Sequence, residues 1–297
     1  MFEQELKEKV QHIEGVIASF LPDETGYQAV VKEAMNYSIK SGGKRLRPML
    51  MEETYRLFGG KGKAVYPFMA AQEMIHNYSL VHDDLECMDN DEYRRGRKTT
   101  HAVYGEGMAV LAGDGLLNYA FETAAKAFDE TNDYKAVAEA LKVLAGKAGI
   151  YGMIGGQTAD VLAEDYKPSQ ITKELLLYIH ENKTAALIQS SMMIGAILAG
   201  ADEQSVKAVE KIACNIGIAF QIQDDILDVE GTFEELGKPI GSDEENEKVT
   251  YVRLMGLEQA KKDVERLSKE AVELLHQLPG ENPFLEELIL SLVHRKK

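Results

Sequence analysis

The sequence predicts an all-α protein whose helices surround a central cavity. Apolar residues recur at helical spacing along most of the chain, and the period-two alternation typical of half-buried strands is rare. Several helical segments are apolar nearly all the way round, as expected for helices buried inside a larger bundle. Because no segment has the length or composition of a domain linker, we predict a single domain over residues 1–297.

Six long segments carry the clearest helical pattern. They are residues 62–86, 106–130, 134–150, 170–199, 203–229 and 256–277. Ser169 and Asp202 stand where helix N-caps are expected, directly before two of these segments. Glycine and proline predict the breaks between helices. These breaks fall at Gly59-Gly60, at Pro168, over residues 231–241 and at Pro279-Gly280.

Composition excludes several classes of protein. The chain has 33 basic and 49 acidic residues and a formal net charge of −16, which argues against a nucleic-acid partner. Its two cysteines, Cys87 and Cys214, form no CxxC pair, so neither a disulfide framework nor a zinc site is expected. The N-terminal segment lacks an apolar signal core, and the longest apolar run, near residues 192–200, is too short to span a bilayer. We therefore predict a cytoplasmic protein that does not insert into membranes.

The segment HDDLECMDNDEYRRG, residues 82–96, crowds acidic side chains together. Six of the ten residues from Asp83 to Glu92 are acids, and Arg94 and Arg95 follow at once. Like charges at this density repel one another and contribute little to stability. The segment therefore predicts a partner that neutralises the acids.

A polar stripe leads into this acidic segment along one side of an otherwise apolar helix. Its members recur at four, three and four residues: Gln72, His76, Ser79 and Asp83. On a continuous helix Asp89 would point in another direction. The chain is therefore expected to leave the helix near Cys87 and fold back.

A second acidic cluster lies in FQIQDDILD, residues 220–228. Asp224 and Asp228 are four residues apart and share one helix face, with Gln221 on that face and the small residue Gly217 one turn before it. A solvated helix end is one interpretation of either cluster alone. Two carboxylate clusters without a sulfur or imidazole set favour the other interpretation, a site for Mg²⁺ that also holds substrate phosphate.

A third polar motif, SGGKRLRP, occupies residues 41–48. Two glycines free the backbone there, and three cations follow: Lys44, Arg45 and Arg47. The motif lacks the GxxxxGK[ST] pattern of a nucleotide-binding loop. It is either a solvated basic surface or, beside two metal-type clusters, a second pocket for an anion.

These motifs together resemble a known family. GGKRLRP, HDDLxxMDxDxxRRG, GQ followed by Asp160, ENKTA, FQIQDDILD and LGKPIG occur in this order. From about residue 40 to its end the chain resembles the trans-isoprenyl diphosphate synthases, most closely the bacterial farnesyl diphosphate synthases. The resemblance implies an all-α isoprenoid-synthase fold and a homodimer. It also implies head-to-tail condensation of isopentenyl diphosphate with dimethylallyl or geranyl diphosphate, which yields farnesyl diphosphate.

The resemblance assigns the acidic residues to a metal site. Direct ligands are expected to be Asp83, Asp89 and Asp224. Ligands through water, or supporting residues, are expected to be Asp84, Asp225 and Asp228. A substrate-dependent cluster of three Mg²⁺ is implied, with Mn²⁺ as an alternative, and would act as a Lewis acid on the leaving diphosphate.

The resemblance assigns basic residues to two separate diphosphate pockets, which keeps two similar anions apart and fixes the geometry of attack. The allylic diphosphate is assigned to Arg94, Lys183 and Lys238, with Lys248 adding charge. Isopentenyl diphosphate is assigned to Lys44, Arg47, His76 and Arg95. Around Lys248 the chain departs from the family pattern, with Glu247 before it and Val252 where proline is common.

A carbocation intermediate needs stabilisation without a nucleophile that would trap it. The resemblance assigns this role to backbone carbonyls near Lys183 and Thr184 and to the amide oxygen of Gln221. The released diphosphate is expected to take the proton. No side-chain nucleophile is predicted.

Product length is predicted from Tyr78 and Ser79. Tyr78 precedes Asp83 by about 7.5 Å along a helix axis, and its ring could form a floor for the growing chain. In the family an aromatic residue there, with two extra residues between Asp84 and Asp89, is typical of bacterial farnesyl synthases. A fifteen-carbon product is expected. The alternative for Tyr78 is an ordinary core aromatic.

Three other functions stay open. A geranylgeranyl or longer-chain synthase of the same fold would differ in product length. A terpene cyclase ionises a similar diphosphate, but its second metal motif usually contains Asn/Asp, Ser/Thr and Glu, whereas QDDILD stands here. A regulatory subunit of a heteromeric synthase typically lacks the aspartates that this chain retains.

Overall fold

The structure is a computed structural model that describes residues 2–230 and 249–293. Helices make up nearly all of its regular structure, which confirms the all-α class. None of the helices in these two ranges has the length and apolar character needed to cross a membrane. Two predicted site residues, Lys238 and Lys248, lie outside the described residues.

The chain divides into two compact units, of which the first comprises Met1–Glu52 and Lys61–Leu141. Its helices are α1 (Phe2–Ala18), α2 (Ala29–Lys40), the first part of α3 (Leu46–Leu57), α4 (Val65–Asp83), α5 (Thr100–Tyr104), α6 (Glu106–Ala125) and the first part of α7 (Tyr134–Ala148). A 3₁₀ turn, Lys126–Asp129, follows α6, and strands β1 (Tyr93–Arg94) and β2 (Arg97–Lys98) form an antiparallel hairpin.

Helix α4 is the central helix of the first unit. It packs most extensively against α6 and also contacts α1 and α2. Its side chains from Pro67 to Ile75 are buried, so it has no solvent-exposed face over that length. This agrees with the prediction of helices that are apolar nearly all round, and it gives the polar residues of α4 a rigid support.

The second unit comprises Glu53–Gly60 and Lys142–Lys297. Its further helices are α8 (Met153–Glu164), α9 (Lys173–Ile179), a π-helix (His180–Ala185), α10 (Ala186–Leu198), α11 (Glu203–Glu230), α12 (Tyr251–Met255), α13 (Leu257–Leu275) and α14 (Pro283–Val293). Helix α11 packs against α10 and α13, and its buried residues Ile222 and Ile226 share a core with Tyr251 and Val264. The prediction of one domain over residues 1–297 stays a prediction.

The predicted helix over 170–199 is divided in the structure. Pro168–Gln170 form a 3₁₀ turn, so Ser169 lies inside that turn and the prediction of a Ser169 N-cap is wrong. The cap of α9 is Thr172, whose Oγ1 accepts a hydrogen bond from the Leu175 backbone N at 3.2 Å. The other predicted cap is confirmed, because Asp202 Oδ1 accepts from the Ser205 backbone N at 2.7 Å.

Candidate active site

The first acidic segment folds back on the end of its helix. Helix α4 ends at Asp83 rather than near Cys87, and the Asp89 backbone N donates to the Asp83 carbonyl at 2.9 Å. Asn90 adopts a φ of 53°, a left-handed conformation that asparagine tolerates better than most residues. The fold-back therefore brings the backbones of Asp83 and Asp89 together, although the helix ends earlier than predicted.

Asp84 and Arg94 form a close ion pair beside this turn. Arg94 donates from Nε at 2.8 Å and from Nη2 at 2.6 Å, both to Asp84 Oδ1. Asp84 is buried, and this burial raises the pKa of its carboxyl group against the opposing effect of Arg94. The arrangement is compatible with a supporting role for Asp84, and it holds Arg94 beside the acidic segment.

A β-hairpin that the sequence analysis missed sends two adjacent arginines to different partners. Arg94 pairs with Arg97 across the hairpin, so Arg95 and Gly96 form its two-residue turn. Both have positive φ, 54° and 75°, as a type I′ turn requires. Arg94 reaches Asp84, whereas Arg95 Nη1 donates to the Gly42 carbonyl. The signal for this turn was the glycine directly after the arginine pair.

The glycines of SGGKRLRP permit a close approach of Arg95. Gly42 and Gly43 have φ values of 88° and 154°, and a Cβ on Gly43 would lie 2.8 Å from Arg95 Nη1. Lys44 is exposed beside them. The loop and the hairpin turn therefore meet through a guanidinium that has room only because Gly43 lacks a side chain.

Arg45 does not join the predicted anion pocket. It is 5% exposed, and its Nη1 donates to Glu73 Oε1 and its Nη2 to the Ile39 carbonyl, both at 2.7 Å. The prediction that Arg45 is one of the pocket cations is therefore wrong, because its guanidinium group forms an ion pair with the buried carboxylate of Glu73. Arg45 also has a positive φ of 51°, a left-handed conformation that is uncommon for residues other than glycine.

The Arg47–His76–Arg95 cluster is the main positive site of the first unit. Arg47 Nη1 lies 3.4 Å from His76 Nε2, and Arg47 Nε is buried without a hydrogen-bond partner in the described part of the chain. Burial, together with the charge of Arg95, lowers the pKa of Arg47 to about 10 despite Glu73. Burial and Arg47 hold the pKa of His76 well below its usual range. The cluster is thus a positive site that an anion would stabilise.

Tyr78 and Ser79 occupy adjacent positions on α4 but differ in surroundings. Tyr78 is 6% exposed, its Oη has no hydrogen-bond partner within residues 2–230 and 249–293, and burial raises its pKa to about 12. Its ring meets His82 edge-on, with centroids 5.9 Å apart. Ser79 Oγ donates to the His76 carbonyl at 2.9 Å, so its hydroxyl is directed to its own helix.

In the second unit, Lys183 and Thr184 lie in the π-helix between α9 and α10. Two glycines let neighbouring helices approach this segment. A Cβ on Gly156 of α8 would lie 2.1 Å from the Lys183 backbone N, and one on Gly217 of α11 would lie 2.3 Å from Ala185 Cβ. A π-turn interrupts the regular helical hydrogen bonding and is frequent at functional sites. The sequence analysis noted Gly217 as a small residue, without this contact, and missed Gly156.

Lys183 is held by a carboxylate of the neighbouring helix. Its Nζ donates to Asp160 Oδ2 at 2.5 Å, and Asp160 on α8 is 7% exposed. This pair connects two of the motifs that carry the family resemblance, GQ with Asp160 and ENKTA with Lys183. A diphosphate that binds Lys183 must therefore compete with Asp160.

The second acidic cluster lies on α11, and its members face different partners. Gln221 Nε2 donates to Asp224 Oδ2 at 3.4 Å. Asp225 Oδ2 accepts from the Tyr251 backbone N at 2.7 Å, at the start of α12, and Asp228 is buried. The predicted helical spacing of Asp224 and Asp228 is thus present, and Asp225 supports the chain at residue 251.

The acidic residues fit a hard cation in their chemistry. They offer carboxylate oxygens, the ligands that Mg²⁺ prefers, and Mg²⁺ usually takes its remaining ligands from water and substrate phosphate. In the part of the chain that the structure describes, no three His, Cys, Asp or Glu side chains converge on one point. The chemistry of the donor set, which consists of carboxylate oxygens, fits a hard cation such as Mg²⁺.

Comparison with known proteins identifies the family. The polyprenyl synthetase model matches residues 28–278. The farnesyl diphosphate synthase of Geobacillus stearothermophilus is 44% identical over 259 residues, which cover 87% of this chain and 86% of the relative. The chloroplastic geranylgeranyl pyrophosphate synthase of Catharanthus roseus is 44% identical over 254 residues, which cover 84% of this chain and 70% of the relative.

A solved structure gives the same result for the fold. The crystal structure of an FPP/GFPP synthase from Zymomonas mobilis superposes with a TM-score of 0.87 at 32% identity and covers 98% of both chains. The described helices therefore form the isoprenoid-synthase fold. With the family model, the sequence relatives and this structure in agreement, the chain belongs to the polyprenyl synthetase family and is a prenyltransferase.

Proposed function

We propose that this protein condenses isopentenyl diphosphate with dimethylallyl and geranyl diphosphate to give farnesyl diphosphate. The observation that carries the proposal is the Arg47–His76–Arg95 cluster, in which cations are crowded without a carboxylate that neutralises them all. Such a cluster suits a strongly charged anion, and diphosphate is the anion that a prenyltransferase binds. The farnesyl diphosphate synthase at 44% identity supports the choice of product.

The cluster, with Lys44, holds isopentenyl diphosphate in this proposal. Arg47 and Arg95 present guanidinium groups, which match phosphate oxygens with two hydrogen bonds each. Arg47 Nε is buried and has no hydrogen-bond partner among the described groups, so it can donate a hydrogen bond to this anion. His76 is neutral before binding, because its pKa is lowered, and donates from its ring as the anion arrives.

The allylic diphosphate is held by Arg94 and Lys183, and by Lys238 and Lys248 outside the described residues. Asp84 orients Arg94, and Asp160 holds Lys183 until the diphosphate displaces it. As the resemblance implies, Asp83, Asp84 and Asp89 of the first acidic cluster would hold metal that accompanies this substrate, and so would Asp224 and Asp228 of the second. That metal, three Mg²⁺ with Mn²⁺ as an alternative, supplies Lewis-acid neutralisation of the leaving group.

The allylic cation is stabilised by oxygen dipoles of the chain. Lys183 and Thr184 lie in a π-helix, where the backbone departs from the hydrogen-bond spacing of an α-helix, and in this proposal their carbonyls face the cation. Gln221 Nε2 donates to Asp224, so its amide oxygen is free to face away from that carboxylate. Dipoles fixed before reaction stabilise developing charge without forming a bond to it.

Tyr78 ends chain growth at fifteen carbons in this proposal. Its ring is buried on α4 in the same helix as Asp83, and its hydroxyl has no partner within the described ranges. The ring, rather than the hydroxyl, therefore forms the barrier. We also propose a homodimer in the cytoplasm, as the family resemblance implies.

The test incubates purified protein with labelled isopentenyl diphosphate and Mg²⁺, with dimethylallyl, geranyl and farnesyl diphosphates as separate primers. After phosphatase treatment, a fifteen-carbon alcohol from the first two primers, absent when EDTA is added, supports the proposal. Products of twenty carbons or more would favour the geranylgeranyl alternative, which the Catharanthus roseus relative keeps open. Cyclic products, or no condensation with any primer, would favour the cyclase or regulatory alternatives.

Two variants of Tyr78 distinguish the contribution of its ring to product length from that of its hydroxyl group. Tyr78→Ala should lengthen the product, because the barrier is gone, whereas Tyr78→Phe should leave a fifteen-carbon product, because the ring stays. Tyr55→Ala removes another buried tyrosine and is the control for loss of aromatic volume. An unchanged product from Tyr78→Ala would contradict the role of the ring.

A further inference from the structure

A chain of contacts in the first unit connects α6 to the ring of Tyr78. The rings of His82 and Tyr78, one helical turn apart on α4, meet edge-on with an interplanar angle of 82°. His82 Nε2 donates to the Val110 carbonyl of α6 at 3.1 Å. The imidazole is therefore anchored to α6 on one side and supports the phenol ring on the other.

A glycine of α6 makes room for the imidazole. A Cβ on Gly113 would lie 2.0 Å from His82 Nε2, 2.3 Å from Cδ2 and 2.8 Å from Cε1, distances at which the ring must move. Gly113 is buried and follows Val110 by about one helical turn, so both share one face of α6. The missing side chain at 113 forms the space in which His82 reaches the Val110 carbonyl.

The ring of Tyr78 depends on such packing for its orientation. Its Oη has no hydrogen-bond partner in the described part of the chain, so the hydroxyl does not fix the ring. A buried aromatic ring without a polar anchor takes the orientation that its neighbours permit. His82 is one of these neighbours, and it is held in place from α6.

We propose that Gly113 and His82 are positioning residues for product length. They hold the Tyr78 ring in the orientation that stops chain growth, and they do so without touching the substrate. This inference rests on the proposed function, in which Tyr78 is the barrier. The residue type at 113 thus sets the product distribution through His82.

The first test compares Gly113→Ala with Gly107→Ala on the same helix. A Cβ at Gly107 meets no atom within 4 Å, so this control adds the same methyl group in open space. With geranyl diphosphate as primer, we expect Gly113→Ala to raise the ratio of twenty- to fifteen-carbon product roughly tenfold. This is the size of effect expected when a pocket loses one apolar contact that discriminates between two chain lengths. Gly107→Ala should keep the ratio of the unchanged enzyme. This ratio does not depend on the folded fraction, so a loss of stability alone cannot change it.

A double variant tests the coupling. His82→Ala should raise the ratio in the same direction, and Gly113→Ala added to it should have no further effect, because the imidazole that clashes is absent. The His82→Ala variant and the double variant can be measured even if Gly113→Ala alone fails to fold. An unchanged or lowered ratio in Gly113→Ala, or an additive effect in the double variant, would overturn the inference. Absence of any fifteen-carbon product from the unchanged enzyme would instead contradict the proposed function.

Discussion

The two basic regions of the molecule satisfy their charges in opposite ways. In the first unit, Arg47 is crowded by Arg95 and lies 3.4 Å from His76, and the pKa values of Arg47 and His76 are lowered. In the second unit, Lys183 is paired with Asp160 at 2.5 Å. A bound anion would stabilise the first region, whereas an anion that binds Lys183 would first have to displace Asp160.

The difference predicts how each region balances stability against function. A buried cation without full compensation destabilises the folded chain, and its retention indicates use by a ligand. A cation with a buried carboxylate contributes to stability on its own. Removing a cation should therefore have opposite effects on stability in the two regions, although both changes impair activity.

The largest effect is expected for Arg47→Gln. The catalytic efficiency toward isopentenyl diphosphate should fall by roughly 10³, because the diphosphate loses a charged hydrogen-bond donor, and loss of one partner from such a pair costs about 2–5 kcal/mol. The melting temperature should stay the same or rise, because a desolvated charge is removed. Steady-state kinetics and calorimetry measure both, with Arg253→Gln, an exposed arginine of α12, as control. A clear fall in melting temperature would contradict the contrast between the regions.

Lys183→Gln is expected to reduce efficiency toward the allylic substrate by roughly 10² and to lower the melting temperature. Stability falls because Asp160, which is 7% exposed, loses its charged partner. Adding Asp160→Asn to Lys183→Gln should restore stability but not activity. Recovery of both would place the pair outside the substrate site.

His76 should make the first unit sensitive to acid. Its pKa in the folded chain is lowered below the usual value of 6.5, so as the pH falls below 6.5 the unfolded chain binds a proton that the folded chain does not. The free energy of unfolding therefore decreases as the pH decreases, by at most about 1.4 kcal/mol per pH unit from this group. Urea titrations between pH 7 and the lowered pKa should show a weaker decline in His76→Gln.

The control for this measurement is His276→Gln, which removes an exposed histidine paired with Glu286 at 2.9 Å. An anion favours protonated His76, so pyrophosphate should reduce the acid-side loss of stability in the unchanged chain. Equal pH dependence in all three proteins would contradict the assignment of His76 to the uncompensated cluster.

The smallest effect is expected for Asp225→Ala. Asp225 accepts a hydrogen bond from the Tyr251 backbone N, so its loss should cost about 1 kcal/mol of stability, as for a helix cap. Asp202→Ala, at the start of α11, is the matched capping control. Asp224→Ala should reduce turnover far more than Asp225→Ala does. The reverse order would show that the two neighbouring aspartates have exchanged roles.

Much of the candidate site could be predicted because its motifs are local. The helical spacing of Asp224 and Asp228, and the fold-back that joins Asp83 and Asp89, depend on residues close in sequence. The π-helix at residues 180–185 was not predicted, and the helices that pack closely against it do so at Gly156 and Gly217, which are distant from it in sequence. The β-hairpin at Arg95 was too short for a periodic signal.

The sequence by itself determined the all-α class, the family and the acidic and basic motifs for which we propose metal and diphosphate binding, because these depend on periodicity and on short motifs. Only the tertiary structure decided which charges are already neutralised. Arg45 and Arg47 are two residues apart, yet Arg45 donates to the buried carboxylate of Glu73 at 2.7 Å, whereas Arg47 lies 3.4 Å from the His76 imidazole and has its pKa lowered by burial and by the charge of Arg95. Burial and the approach of distant carboxylates set the electrostatic state of a side chain, and neither is written in its neighbours along the sequence.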